Sequence, residues 1–168
     1  MKSIVKTQKI LGIDTNAKTV KGATQGFMTG IVYLAPSNES GVANTCPHAS
    51  KGCRDACLFT AGRGSMDNVR NPRIKKTVSF FADKASWINQ LKGEISKAKK
   101  KATKNNAEFV ARLNGTSDIA WENENIFQTE KDTQFYDYTK SSKRMIKFLE
   151  GKMPKNYHLT FSRSETND

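Results

Sequence analysis

Apolar positions along the chain fall into short runs with two distinct periods. The run from Gly26 to Leu34 (GFMTGIVYL) is rich in β-branched and aromatic residues and stops before Pro36, which predicts a buried strand. Val69, Ile74, Val78 and Phe81 recur at helical spacing and predict a helix from Asp67 to Ala82. After Ser86, the positions Trp87, Ile88, Leu91, Ile95, Ala98 and Ala102 form one stripe, a stronger helix signal. Lysines crowd its last turns, where a helix dipole favours cations. Short strands are predicted at Phe109 to Leu113, Gln134 to Thr139 and Tyr157 to Ser162. Between the last two, a helix from Ser141 to Glu150 turns Met145, Ile146, Phe148 and Leu149 inward and stops at Gly151.

Strands that alternate with helices in this order imply an α/β domain with a mainly parallel sheet and right-handed crossovers. The domain is expected to span residues 27–168. Residues 1–26 are polar and spotted with lysine (Lys2, Lys6, Lys9, Lys18, Lys21), and are expected as a polar N-terminal arm or a peripheral hairpin. An open sheet that ends on its last strand leaves an edge to cover, so a homodimer is expected.

Reactive groups in such sheets lie just past the carboxyl ends of the strands. The first strand is followed by a cysteine-bearing loop and the second by Asn114-Gly115-Thr116-Ser117-Asp118. Behind the third stands Lys140, and behind the fourth Arg163-Ser164-Glu165. The face these ends share is the candidate site. By the period of two, Tyr136 and Tyr138 share one face of their strand and Phe135 and Asp137 the other, with Asp137 inside the sheet's interior or at its surface. His158, between Tyr157 and Leu159, is expected as a satisfied, partly buried imidazole.

Composition narrows the function classes. A chain of 168 residues holds one core, and 28 Lys+Arg against 16 Asp+Glu give a net charge of +12. That balance calls for an anionic partner, with nucleic acid or a nucleotide held through phosphate contacts as the expectation. Lys75-Lys76, Lys97 to Lys104, and Lys143-Arg144 with Lys147 lie on predicted helices, where a solvated face is the plainer reading. No apolar run is long enough to span a bilayer and the first residues lack a signal peptide's apolar stretch, so no membrane partner and a cytoplasmic location are expected.

The cysteines Cys46, Cys53 and Cys57 sit on one loop with spacing C-x6-C-x3-C, and His48 follows the first by two residues. Three thiolates can hold three irons of a cubane cluster and leave the fourth open. With His48 they can instead close a tetrahedral structural zinc site. Buried, metal-free thiols are the third reading.

The segment Asn44-Thr45-Cys46-Pro47-His48-Ala49-Ser50-Lys51-Gly52-Cys53, with Cys57-Leu58 and Ala61-Gly62-Arg63-Gly64, resembles the phage gene product 88 family. So do Arg112-Leu113-Asn114-Gly115-Thr116-Ser117-Asp118-Ile119 with Trp121-Glu122, Phe135 to Lys140, and Asn156 to Ser162 with Glu165. That family is in turn distantly similar to radical S-adenosylmethionine enzymes. As a phage protein the chain is expected in the host cell's cytoplasm, and the similarity implies a partial (half) βα barrel with Cys46, Cys53 and Cys57 on a 4Fe-4S cluster and S-adenosylmethionine as cofactor. Asn114, Thr116, Ser117 and Asp118 would then bond the cofactor's amino group or ribose. Arg163, placed with the cofactor-binding residues, and Lys140 would attract anionic groups, and Glu165 would bond a hydroxyl or accept a proton, making Lys140 and Glu165 the candidate catalytic pair. The competing expectation is a zinc-stabilised, basic, nucleic-acid-binding protein without catalysis. Relative to the family, the chain is expected to be a shortened form that lacks a helix after its last strand.

Overall fold

The computed structural model describes residues 8–165. Five strands form one mixed sheet in the order β1 (Leu11–Ile13), β2 (Phe27–Val32), β3 (Glu108–Arg112), β4 (Gln134–Thr139), β5 (Tyr157–Phe161). Strand β1 runs antiparallel to β2, and the other neighbours are parallel. The helices are α1 (Ala17–Ala23), α2 (Lys51–Asp55), α3 (Asp67–Ala82), α4 (Lys84–Lys104), α5 (Ile126–Thr129) and α6 (Ser142–Leu149). Among the described residues no helix is long and apolar enough to cross a membrane.

Helix α4 is the main cover of the sheet. Trp87, Ile88, Leu91, Ile95, Ala98 and Ala102 are all buried, as the single apolar stripe predicts. Its first turn is capped by the Asp83 carboxylate, which accepts from the Ser86 amide at 3.0 Å and so satisfies one of the donors a helix start leaves unpaired. Leu91 and Ile95 are fully buried, and burying each such side chain contributes about 1.5–3 kcal/mol.

Four expectations need correction. Residues 8–26 are no free arm. Ile10 and Leu11 are buried in the core, and their amides donate to the Glu94 carboxylate of α4. Strand β1 has three residues, too few to display a period. On α3 the inward positions are Thr77 and Phe80, while Val78 and Phe81 are about two-fifths exposed. Thr77 faces inward because its hydroxyl accepts from the buried Ala35 amide at 2.8 Å, just past β2. On α6, Ile146 and Leu149 are exposed and Arg144 is buried, since the helix turns toward an acidic cluster described below. His158 is exposed, with its ring edge-on to Phe148 at 5.1 Å.

Candidate functional site

Strands β2 to β5 are parallel, so their carboxyl ends share one rim, and the loops leaving them meet there. Past β2 the chain is anchored before it reaches the cysteines. The Thr45 hydroxyl donates to the Ala35 carbonyl at 2.6 Å, and the Thr45 carbonyl accepts from the Asp118 amide at 2.8 Å. This sets Cys46 beside the β3 loop, where its thiol points at the Thr116 carbonyl 3.6 Å away. Cys53 lies on α2, whose first turn is capped by the Ser50 hydroxyl accepting from the Cys53 amide at 3.1 Å.

These restraints bring Cys46, Cys53 and Cys57 to one cleft of about 350 Å³, facing Asn114, Thr116, Ser117, Asp118, Tyr138 and Lys140. All three thiols are free and half-buried. Burial pushes the Cys46 thiol up, against hydrogen bonds from the Ser37 backbone and Thr45 that lower it. A metal held there must therefore displace a proton. A larger groove of about 960 Å³ lies between α3 and α4, but it holds none of the cysteines or strand-end residues. The smaller cleft is the candidate because the chemistry collects there.

The sequence-predicted residues divide by what already binds them. Asn114 is buried and spent within its own turn. Its side-chain oxygen accepts from Ser117, the Ile119 amide and Trp121 Nε1, and its amide nitrogen donates to Ile119 and Asp137. The Thr116 hydroxyl donates to the Leu34 carbonyl, tying the β3 loop to the end of β2. Asp118 accepts from Arg144, from the Thr139 hydroxyl and from the Lys140 amide. Lys140 Nζ donates to Ser162 Oγ at 3.1 Å and to the Arg163 carbonyl at 2.9 Å, so it joins the ends of β4 and β5 beside the cleft. Arg163 and Glu165 are not among the cleft's lining residues. Glu165 instead accepts from the Ser50 hydroxyl and the Gly52 amide, both at 2.8 Å, and so braces α2. Its carboxyl is held below the usual range by its own backbone amide, Ser50 and Gly52.

Beneath the cleft lies a buried polar network of which the sequence singled out Asp118 and Asp137 but not the pairing with Arg144, Glu122 and Tyr157. The Arg144 guanidinium makes paired bonds to Glu122, with Nε and Nη2 each at 2.8 Å, and also reaches Asp118 and the Tyr157 hydroxyl. Tyr157 in turn donates to Asp137 at 3.0 Å. Burial pushes the Asp137 carboxyl up to about 7, opposed by the Asn114 amide, Arg112, Tyr157 and Arg144. Burial alone would lower Arg144, but Glu122 and Asp118 reverse this and hold its charge more firmly than usual. One signal was available. The alternation of β4 puts Asp137 on the same face as Phe135 and Thr139, and a carboxylate on a buried face requires partners.

The thiols can be tested against the two metal groups the sequence allows. A tetrahedral zinc at about 2.3 Å from sulfur draws its sulfurs to within roughly 4 Å of one another. Among the described residues no three His, Cys, Asp or Glu side chains converge on a point that one ion could occupy. His48 is exposed and outside the cleft the thiols line. The cysteines and His48 therefore form no ready single-ion site in this arrangement. The three cysteines do line one cleft, so the soft donors that either metal group would draw on lie in one place.

No curated protein and no solved structure matches the chain. Over residues 7–168 it matches the family described as Gene product 88, and it belongs to that family.

Proposed function

We propose that this protein is an iron–sulfur protein whose cleft at the sheet's carboxyl rim binds a cluster through Cys46, Cys53 and Cys57 and takes S-adenosylmethionine beside it. The observation that carries the reading is the convergence of three thiols from one loop with the Asn114–Asp118 turn and Lys140 on a single cleft. The in-order parallel strands β2 to β5 support the half-barrel form of that reading.

A cluster held by three thiolates would offer one iron without a protein ligand, open to the amino and carboxylate groups of the cofactor, and would supply an electron. The chain's own residues prepare the place. Thr116 and Ser117 give the cleft small polar walls that a ligand can approach closely. Asp118 is held from three sides and can only act as a fixed carboxylate. Lys140 places a cation on the cleft lining, where it attracts a carboxylate or phosphate. Glu165 serves as a positioning residue, since both its oxygens hold the helix that carries Cys53.

Substitution tests this reading. Replacing Cys46, Cys53 or Cys57 by Ala is expected to abolish iron and sulfide binding, with His48→Ala leaving both at the wild-type level. Equal loss in His48→Ala, with zinc as the bound metal, would overturn it. Retention of iron without any binding of S-adenosylmethionine would remove the second half of the proposal.

A further inference from the structure

The helices α4 and α6 cover one face of the sheet, and the strands show which residues the other face keeps. Burial alternates along β3, β4 and β5, leaving Val110, Arg112, Tyr136, Tyr138, His158 and Thr160 on the less covered side. Register sets them in rows, with Tyr136 beside His158 and Tyr138 beside Thr160. Helix α1 borders this face over β2 and contributes Lys18 and Thr19 to its rim.

The result is an open groove of about 680 Å³. Its floor presents two tyrosines spaced by two residues, roughly 6.6 Å apart along the strand. Tyr138 is 45% exposed, and the Arg112 guanidinium lies over its ring at 4.7 Å from the centroid. Tyr136 is half-buried. Lys18 and Arg112 line the groove and no Asp or Glu does, on a chain of net charge +12; Arg112 Nε is bonded to the Asn114 carbonyl at 3.1 Å and stands 4.0 Å from Asp137, leaving its outer nitrogens to face the groove. Glu108, the acid of this face, stands at the opposite, amino end of β3.

We propose that this groove binds single-stranded nucleic acid. The tyrosine rings offer stacking platforms for unpaired bases, and Arg112 and Lys18 meet the phosphates between them. A duplex hides its base faces and would gain only the charge term. The large basic runs of α4 lie on the opposite side of the sheet, so the two possible footprints can be separated by mutation. The inference does not rest on the cluster reading: no cysteine lines this groove, although Arg112, Tyr138 and Ser162 stand on the border it shares with the cysteine cleft.

The test is fluorescence anisotropy with labelled oligothymidylate and oligouridylate of about twelve nucleotides. The full chain is expected to bind at least one of them in low salt, and to lose affinity as salt is raised from about 50 to about 200 mM. Tyr138→Ala is expected to weaken binding about tenfold, with Tyr138→Phe near wild type and circular dichroism confirming that both fold. Replacing Lys99 and Lys100 together by Gln should change binding far less than Tyr138→Ala. Absence of binding in low salt would overturn the proposal, as would equal competition by a duplex of the same length. Loss of binding confined to the α4 variant would also overturn it. So would a dimer that dissociates on Tyr138→Ala, because the face would then be occupied by a second copy.

Discussion

Glu165 accepts a hydrogen bond from the Gly52 amide at 2.8 Å, across 113 residues of sequence, and ties the end of the chain to the helix that carries Cys53. The approach is possible because residue 52 has no side chain. A β-carbon there would stand 2.7 Å from the Glu165 Oε1, closer than real contacts allow.

Gly52→Ala is therefore expected to push Glu165 away and loosen α2. Glu165→Ala should do the same from the other side. Both variants should react several-fold faster than wild type at Cys53 with a thiol reagent, measured by mass spectrometry of the labelled peptides. The double variant should react no faster than either single one, since each breaks the same contact.

The buried Asp137 predicts a pH dependence of stability. Its carboxyl rises from 3.8 in the unfolded chain to about 7 in the fold. Between these values the folded chain holds a proton that the unfolded chain has lost, so stability falls as pH rises through this window and levels off above it. Urea denaturation from pH 5 to pH 8 should show this decline, on the order of a kcal/mol or more. Asp137→Asn should be less stable than wild type at the acid end but should lose most of the slope.

Arg144 is the centre of the buried network, and its removal leaves Glu122 and Asp118 as uncompensated charges. Arg144→Met is expected to cost about 3–5 kcal/mol in denaturant unfolding. Arg144→Lys should recover only part of this, because an ammonium cannot make the paired bonds to both Glu122 oxygens.

Gly115 lies where the β3 loop presses on β2. A β-carbon would meet Ile31 Cγ2 and the Val32 carbonyl at 2.6 Å, and the carbonyl belongs to a central strand that cannot yield. Gly115→Ala should destabilise the fold by about 1–3 kcal/mol and also displace Thr116 and Asp118 from the cleft. A lowered melting temperature with altered Cys46 reactivity would report both effects.

Much of the fold was legible because strong periods survive tertiary packing. The α4 stripe from Trp87 to Ala102 and the bounds of α3 and β4 match the residue pattern directly. The meeting of the strand-end loops followed from parallel topology alone. What escaped detection was local polarity with distant partners. Arg144 looked like part of a basic surface because Glu122 and Asp118 lie 22 and 26 residues away. Ile146 and Leu149 looked inward because apolar side chains were assumed to set the face of α6, whereas the buried guanidinium sets it. Asn114 does line the cleft, but that its side chain also folds the Asn114–Trp121 turn was not legible. The bonds from Glu165 to Ser50 and Gly52 were not legible, because nothing in its sequence neighbourhood points to them.

On the proposed function, Cys46, Cys53 and Cys57 share one inorganic core at the carboxyl rim of the sheet. The most direct measurement is iron, zinc and acid-labile sulfide analysis of the protein purified without oxygen, alongside its visible spectrum. A brown protein holding iron and sulfide in equal proportion, bleached by air and absent from the three Cys→Ala variants, is the predicted result. A colourless protein with zinc and no sulfide would contradict the account.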